Sequence, residues 1–320
     1  MNSKSKTDLT PRLFCFGLGY SAGFLARSMT QRAGKWEPVA REKLRNNQTA
    51  QGWKIAGTAR TAQGVAALQT DGYEGFIFTG DVPMEQAERA LSGTTHLLLS
   101  IPPGPQGDPA LLHHRADIAA IADSLKWIGY LSTTGVYGDT QGAWADETTP
   151  PAPHSERAKA RLAAERAWTQ LGESIGVPVQ IFRLPGIYGP GRSAIDQLRA
   201  GTAKRIEKPG HVFCRIHVAD IAASLEAAMT KPPASTIYNV CDDEPASSAD
   251  VVAYGARLLG MEPPPLLAYT QAESTMSPMA RSFYEEARRV RNDKIKRELG
   301  VHLAYPTYRE GLKACAQESP

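Results

Sequence analysis

Three small residues near the amino end stand at a spacing that can hold a phosphate. Gly17, Gly19 and Ala22 form a G-x-G-x-x-A array inside RLFCFGLGYSAGFLARSMT, Arg12–Thr30. Gly17 permits a tight turn and Gly19 lets a pyrophosphate approach the backbone, while Ala22 keeps a helix close to the preceding strand. The amino end of that helix offers unpaired N–H groups and a partial positive charge. Tyr20 and Ser21 belong to the same turn. A second feature lies at Gly57-Thr58-Ala59-Arg60-Thr61, where no carboxylate follows until Asp71. An Asp or Glu at such a strand end accepts both ribose hydroxyls of NAD and repels a 2′-phosphate. Arg60 instead presents a planar fork of donors, to which Thr58 or Thr61 can add a hydroxyl. NADP is the expected cofactor, and NAD fits less well.

These residues need a scaffold, and the apolar pattern supplies one. Leu13–Phe16 runs into the glycine turn, and a helix leaves it. Further apolar runs follow at Trp53–Gly57, at Gly75–Phe78 before Gly80-Asp81, and at Thr95–Ile101 before Pro102-Pro103-Gly104-Pro105. Others lie at Trp127–Ser132, Val177–Leu184, Cys214–Val218 and Ile237–Val240. Helical segments alternate with them: Glu85–Leu91, Pro109–Leu125, a helix capped by Ser155 and running to about Leu171, and Asp220–Met229. Strands that alternate with helices, without period-two polarity, indicate a parallel sheet covered on both faces. The expected fold is α/β, a doubly wound parallel sheet (Rossmann) with a small C-terminal substrate-covering region. Residues 1–11 read as a disordered tail, 12–188 as the dinucleotide-binding domain, and 189–320 as a substrate lid. Within the lid, 212–242 is expected to return in part to the sheet. Gly34–Gln51 reads as a polar insertion. Ser248 can cap a helix ended by Gly260, Asn292 begins one closed by Gly300, and Thr307 forms a capping box with Glu310.

Composition narrows the functional classes. The 320 residues are 42% hydrophobic and 22% charged, ordinary for a soluble globular protein. No apolar run approaches the ~20 residues that span a bilayer, and the first eleven residues lack a signal-peptide core. A net charge of +3 and a pI near 8.6 are too mild to argue for nucleic acid. Cys15, Cys214, Cys241 and Cys315 form no C-x-x-C pair, so a reduced cytoplasmic protein is expected rather than a disulfide scaffold or zinc site. His113-His114 is the only histidine cluster. Adjacent residues diverge on a helix, so the two read as solvated side chains and no metal is expected.

Nine motifs then fall in order over residues 12–245: FGLGYSAG, GTAR, FTGD, YLSTTGVYGD, DETTPPAP, RAKARLAAE, FRLPGIYGPGR, RIHVADIAASLEAAM and YNVCDDEP. Together they resemble the extended short-chain dehydrogenase/reductases, the NAD-dependent epimerase/dehydratase group, with G-x-G-x-x-A replacing the usual T-G-x-x-G-x-x-G. The resemblance implies a nicotinamide cofactor walled by the glycine turn, by Asp81 at adenine, and by Ser100, Ile101 and Pro102. It also implies that Thr133 bonds the substrate oxygen at the carbon undergoing redox. Thr134 and Gly135 stand where dehydratases carry Asp-Glu, which disfavours sugar dehydration.

The group's Tyr-x-x-x-Lys pair is missing. Aligning Pro153, Ser155 and LAAE puts Arg157 at the tyrosine and Arg161 at the lysine, on one helix face. A guanidinium, with a pKa above about 12, cannot shuttle a proton near neutrality. Arg161 can still hydrogen-bond a ribose or an anionic substrate. A second register, Ser155 with Lys159, keeps a lysine but breaks the LAAE match, and both stay open at this point. Arg183, Tyr188, Arg192 and Arg215-Ile216-His217 fall in segments that line the group's substrate cleft. Arg192 and Arg215 are candidates for an anionic group, and Tyr137 and Tyr188 for a relocated proton donor. The expected function is an NAD(P)-dependent oxidoreductase or epimerase-like enzyme on a small polar substrate, with anionic and nucleotide-linked substrates both open. The alternative is an NAD(P)-binding regulator without redox catalysis. The resemblance also implies a homodimer through Pro109–Leu125 and Ser155–Leu171.

Overall fold

A computed structural model describes residues 10–30, 52–231, 234 and 236–317. Most of the expected tail (1–11) and the insertion (34–51) lie outside the described residues. Seven strands form one parallel sheet: β1 (Arg12–Phe16), β2 (Lys54–Ala59), β3 (Glu74–Ile77), β4 (His96–Leu99), β5 (Trp127–Thr133), β6 (Val179–Leu184) and β7 (Thr236–Asn239). Their spatial order is β7-β6-β5-β4-β1-β2-β3. The order reverses between β1 and β4, where doubly wound sheets open a ligand crevice at the carboxyl ends of the strands.

The sheet's two faces explain why no polar alternation marks the strands. On β1, Leu13 and Cys15 face one core, and Phe14 and Phe16 face the other. Helices α1 (Tyr20–Thr30) and α5 (Val218–Thr230) cover the first face through Leu25, Met29, Ile221 and Leu225. Helices α3 (Pro109–Ala120) and α4 (Glu156–Ile175) cover the second through Leu111, Ile118, Trp168 and Leu171. The short α2 (Ala62–Thr70) lies between β2 and β3. No described helix is long and apolar enough to cross a membrane.

A buried ion pair fastens α4 to this sheet. Arg183 of β6 donates from Nε and Nη2 to Glu165 of α4 at 3.1 and 2.7 Å. Ser132 of β5 adds its hydroxyl to the same carboxylate at 2.5 Å. At the open margin of the sheet, Glu147 accepts from the Asn239 backbone N–H at 2.8 Å. Lys294 donates to the Ile237 carbonyl at 2.9 Å on that same side.

Three local expectations are corrected. The Cys214–Val218 run forms only Arg215–His217, and it pairs with Gly186–Tyr188 in a separate two-stranded sheet. Ser247, not Ser248, caps the following helix, accepting from the Asp250 N–H. His113-His114 is not a solvated pair. His114 is buried, accepting from the Met84 N–H and contacting Asp117, while His113 reaches the Gly80 carbonyl.

Candidate active site

The glycine turn is built by the strand beside it. Gly17, at φ +86°, donates its N–H to the Thr58 hydroxyl at 2.8 Å, and the Leu18 N–H meets the Thr58 carbonyl at 2.9 Å. A Cβ at Gly17 would sit 2.6 Å from Ile101, so the turn is closed on that side. Thr58 is buried beneath it, which corrects the expectation that its hydroxyl serves a 2′-phosphate. At Gly19 the situation is opposite. A Cβ there would meet no protein atom within 4 Å, beside the first turn of α1. That bare face, at the amino end of α1 where the helix dipole is positive, fits a pyrophosphate.

The remaining cofactor candidates surround this turn. Ser21 and Ala22 are buried in α1, and Tyr20 donates its hydroxyl to the Pro190 carbonyl at 3.0 Å. The Ser100 N–H continues the β1–β4 pairing to Phe16, with Ile101 half-buried and Pro102 exposed beyond it. Arg60 and Asp81 are both exposed, past the ends of β2 and β3. Thr61 spends its hydroxyl capping α2 through the Gly64 N–H.

Thr133 ends β5, on the same carboxyl edge of the sheet. Its oxygen accepts from the Gly135 N–H at 3.0 Å, so its own proton is left to donate. Arg157 is exposed in the first turn of α4. Arg161 donates to the Leu131 carbonyl at 2.7 Å, a tie to β5 that the expectation of a ribose or substrate contact did not include. In the second register, Ser155 caps α4 through the Ala158 N–H and Lys159 pairs with exposed Glu156. Those two polar groups are spent on the helix and its surface.

The profile of the NAD-dependent epimerase/dehydratase family matches residues 117–241, from α3 through β7. The chain is 31% identical over 226 residues to Protein YeeZ of Escherichia coli (strain K12), covering 68% of this chain and 79% of that protein. The chain belongs to the NAD-dependent epimerase/dehydratase family. A solved structure of a functionally unknown conserved protein from Silicibacter pomeroyi DSS is 45% identical, with a TM-score of 0.82, covering 96% of this chain and 98% of that one. The fold is shared with dTDP-glucose 4,6-dehydratase from Bacillus anthracis in complex with NAD, at 17% identity and a TM-score of 0.72 over 96% of each chain.

Within this family frame, several sequence candidates turn out to be interior. Tyr137 is buried under the Arg183 guanidinium and gives its hydroxyl to Asn239 Oδ1 at 2.8 Å. Burial also raises its pKa, against the pull of Arg183. Tyr188 packs against Gly311 and contacts the Thr307 carbonyl, and burial, reinforced by Asp242, holds its pKa well above 10. Both expectations of a relocated phenolic donor are corrected, because each phenol is desolvated and faces protein. Arg215 donates to the Phe213 and Ala246 carbonyls, which corrects its reading as an anion ligand. Arg192 is exposed above the Tyr20 ring, 5.7 Å away, where it remains available.

Sequence reasoning missed Arg288. Its Nε donates to the Gly138 carbonyl at 2.8 Å and its Nη2 pairs with Glu286. Its Nη1 lies beside Gly135, the residue whose N–H engages Thr133. The available signal was Gly135 itself, a missing side chain two residues after the candidate reacting position.

Proposed function

We propose that the protein is an NADP-dependent oxidoreductase or epimerase-like enzyme acting on a small polar substrate. One observation carries this reading: the bare face at Gly19 and the donor hydroxyl of Thr133 share the carboxyl edge of one sheet, around the reversal between β1 and β4. Gly17, Gly19, Tyr20, Ser21 and Ala22 would hold the pyrophosphate side, with Asp81 at adenine and Arg60 at the 2′-phosphate. Ser100, Ile101 and Pro102 would line the opposite wall. When bound, the nicotinamide would accept or supply a hydride.

Thr133 donates its proton to the oxygen on the reacting carbon. Arg157 and Arg161 hold positive charge near that corner but move no proton, so the overall proton balance falls to another group or to solvent. All four cysteines are buried thiols, which supports a reduced cytoplasmic setting. Pairing of two copies through α3 and α4 is part of the same proposal, with Leu112 exposed on α3.

The experiment is a fluorescence titration of the purified chain and of Arg60→Ala with NADPH and NADH. Tighter binding of NADPH, lost in the variant, supports the reading; a preference for NADH in the wild type overturns the NADP assignment. A regulator without redox chemistry is favoured by the buried phenols and the two arginines at the Tyr-x-x-x-Lys positions. It would bind NADPH tightly yet turn over no substrate.

A further inference from the structure

The lid sends a short strap across the catalytic corner. Thr140 and Gly142 both donate their N–H groups to the Ala287 carbonyl, at 3.1 and 3.0 Å. The Ala287 N–H returns to Asp139 Oδ1 at 2.9 Å, and Arg289–Val290 pairs in parallel with Trp144–Ala145. These ties on both sides fix Arg288 in place between them.

Its guanidinium has two of its edges occupied. Nε is held by Gly138 and Nη2 by Glu286. The third nitrogen, Nη1, makes no hydrogen bond among the described residues. A Cβ built on Gly135 would stand 3.6 Å from this Nη1 and 3.3 Å from Thr133 Oγ1. Glycine leaves that space empty, so one small group can reach a hydroxyl on one side and a cation on the other. A half-buried guanidinium edge bonds most strongly to a charged acceptor, roughly twice as strongly as to a neutral one. Glu286 already occupies Nη2, so the free edge favours a single oxygen over a bidentate grip.

We propose that Arg288 binds a carboxylate of the substrate while Thr133 holds the oxygen on the reacting carbon. The substrate is then a small hydroxy or keto acid whose carboxylate lies within a few bonds of that carbon. This rests on the NADP-dependent reading of the crevice and names the substrate class for it. Arg288 takes the anchoring role that Arg215 cannot, since Arg215 is turned onto backbone carbonyls.

The test uses the full chain with saturating NADPH, followed by thermal unfolding. The probes are glycolate, D-lactate and D-glucuronate, each against a neutral counterpart: ethylene glycol, propane-1,2-diol and D-glucose. At least one acid should raise the midpoint saturably where its counterpart does not. Arg288→Gln should weaken that acid by about tenfold or more, and Arg288→Lys should keep part of the response. Three results overturn the proposal: no acid stabilises the wild type, acid and neutral partner act alike, or Arg288→Gln responds as the wild type does. Should Arg288→Gln fail to fold, phenylglyoxal labelling of the wild type decides. Mass spectrometry should show modification of Arg288 slowed by the acid and not by its counterpart, and equal labelling overturns the assignment. A titration with NADPH alone separates this outcome from failure of the cofactor reading.

Discussion

At the β1–β2 end of the crevice, an incoming ligand meets backbone, glycine and open space. At the β5 end it meets charged side chains already gripped by partners. Gly19 is bare, while Thr58 beneath the turn is fully used in shaping it. Around Thr133, Arg161 is tied to Leu131, Arg288 to Gly138 and Glu286, and Arg183 to Glu165. The first end is a receptacle whose ligand supplies the charge. The second is a set of cations whose freedom has been removed, leaving few edges to act on a substrate.

Breaking the held end should have the largest effect. Glu165→Ala leaves Arg183 buried and unpaired and frees the Ser132 hydroxyl, which should cost about 3–5 kcal/mol of stability. Urea unfolding checks this, and a loss below about 1 kcal/mol would show that the pair is not holding α4 to the sheet. The open end should respond in ligand binding instead. Gly19→Val meets no protein atom at its Cβ, so the fold should keep its unfolding midpoint. NADPH affinity should fall on the order of 100-fold, because the branched side chain fills the pyrophosphate's place. Equal affinity in both proteins would remove the phosphate from this turn.

A finer test of the open end is Arg60→Ala, which should weaken NADPH about tenfold and leave NADH within about twofold, since only the 2′-phosphate loses a partner. The held end also predicts a pH trend. Burial raises the Asp242 carboxyl to about 8, against the pull of Arg215. The folded chain therefore retains a proton that the unfolded chain releases above about pH 4, so stability falls as pH rises from there to about 8 and then levels. Asp242→Asn should flatten that fall by on the order of 1 kcal/mol between pH 5 and 8, measured by chemical unfolding at each pH.

How much of this was legible beforehand depended on whether the signal was local. Strand β1 and its glycine turn could be read directly, because a four-residue apolar run, Leu13–Phe16, leads straight into two glycines one residue apart. The doubly wound α/β class followed from the alternation of elements. Arg215–His217 misled because a three-residue apolar-flanked run has the same pattern whether it joins the main sheet or a side pair. Tyr137 and Tyr188 misled for another reason. Motif position places a phenol near the cleft, but burial and a partner 102 residues away, Asn239, decide whether its hydroxyl is available. Arg288 was invisible because its neighbours at Gly135 and Gly138 lie about 150 residues earlier, at 150 residues for the Gly138 contact.

The margin of the sheet at β7 has one more consequence. A second chain adding a strand at this margin would meet the Asn239 N–H and the Ile237 carbonyl already taken by side chains. Glu147 precedes β7 in the chain, but Lys294 follows it by 57 residues. During synthesis the strand is therefore complete before half of its guard has emerged. A nascent or shortened chain lacking Lys294 would present an adhesive border, so the stretch that finishes last also ends the period in which two copies can stick together wrongly.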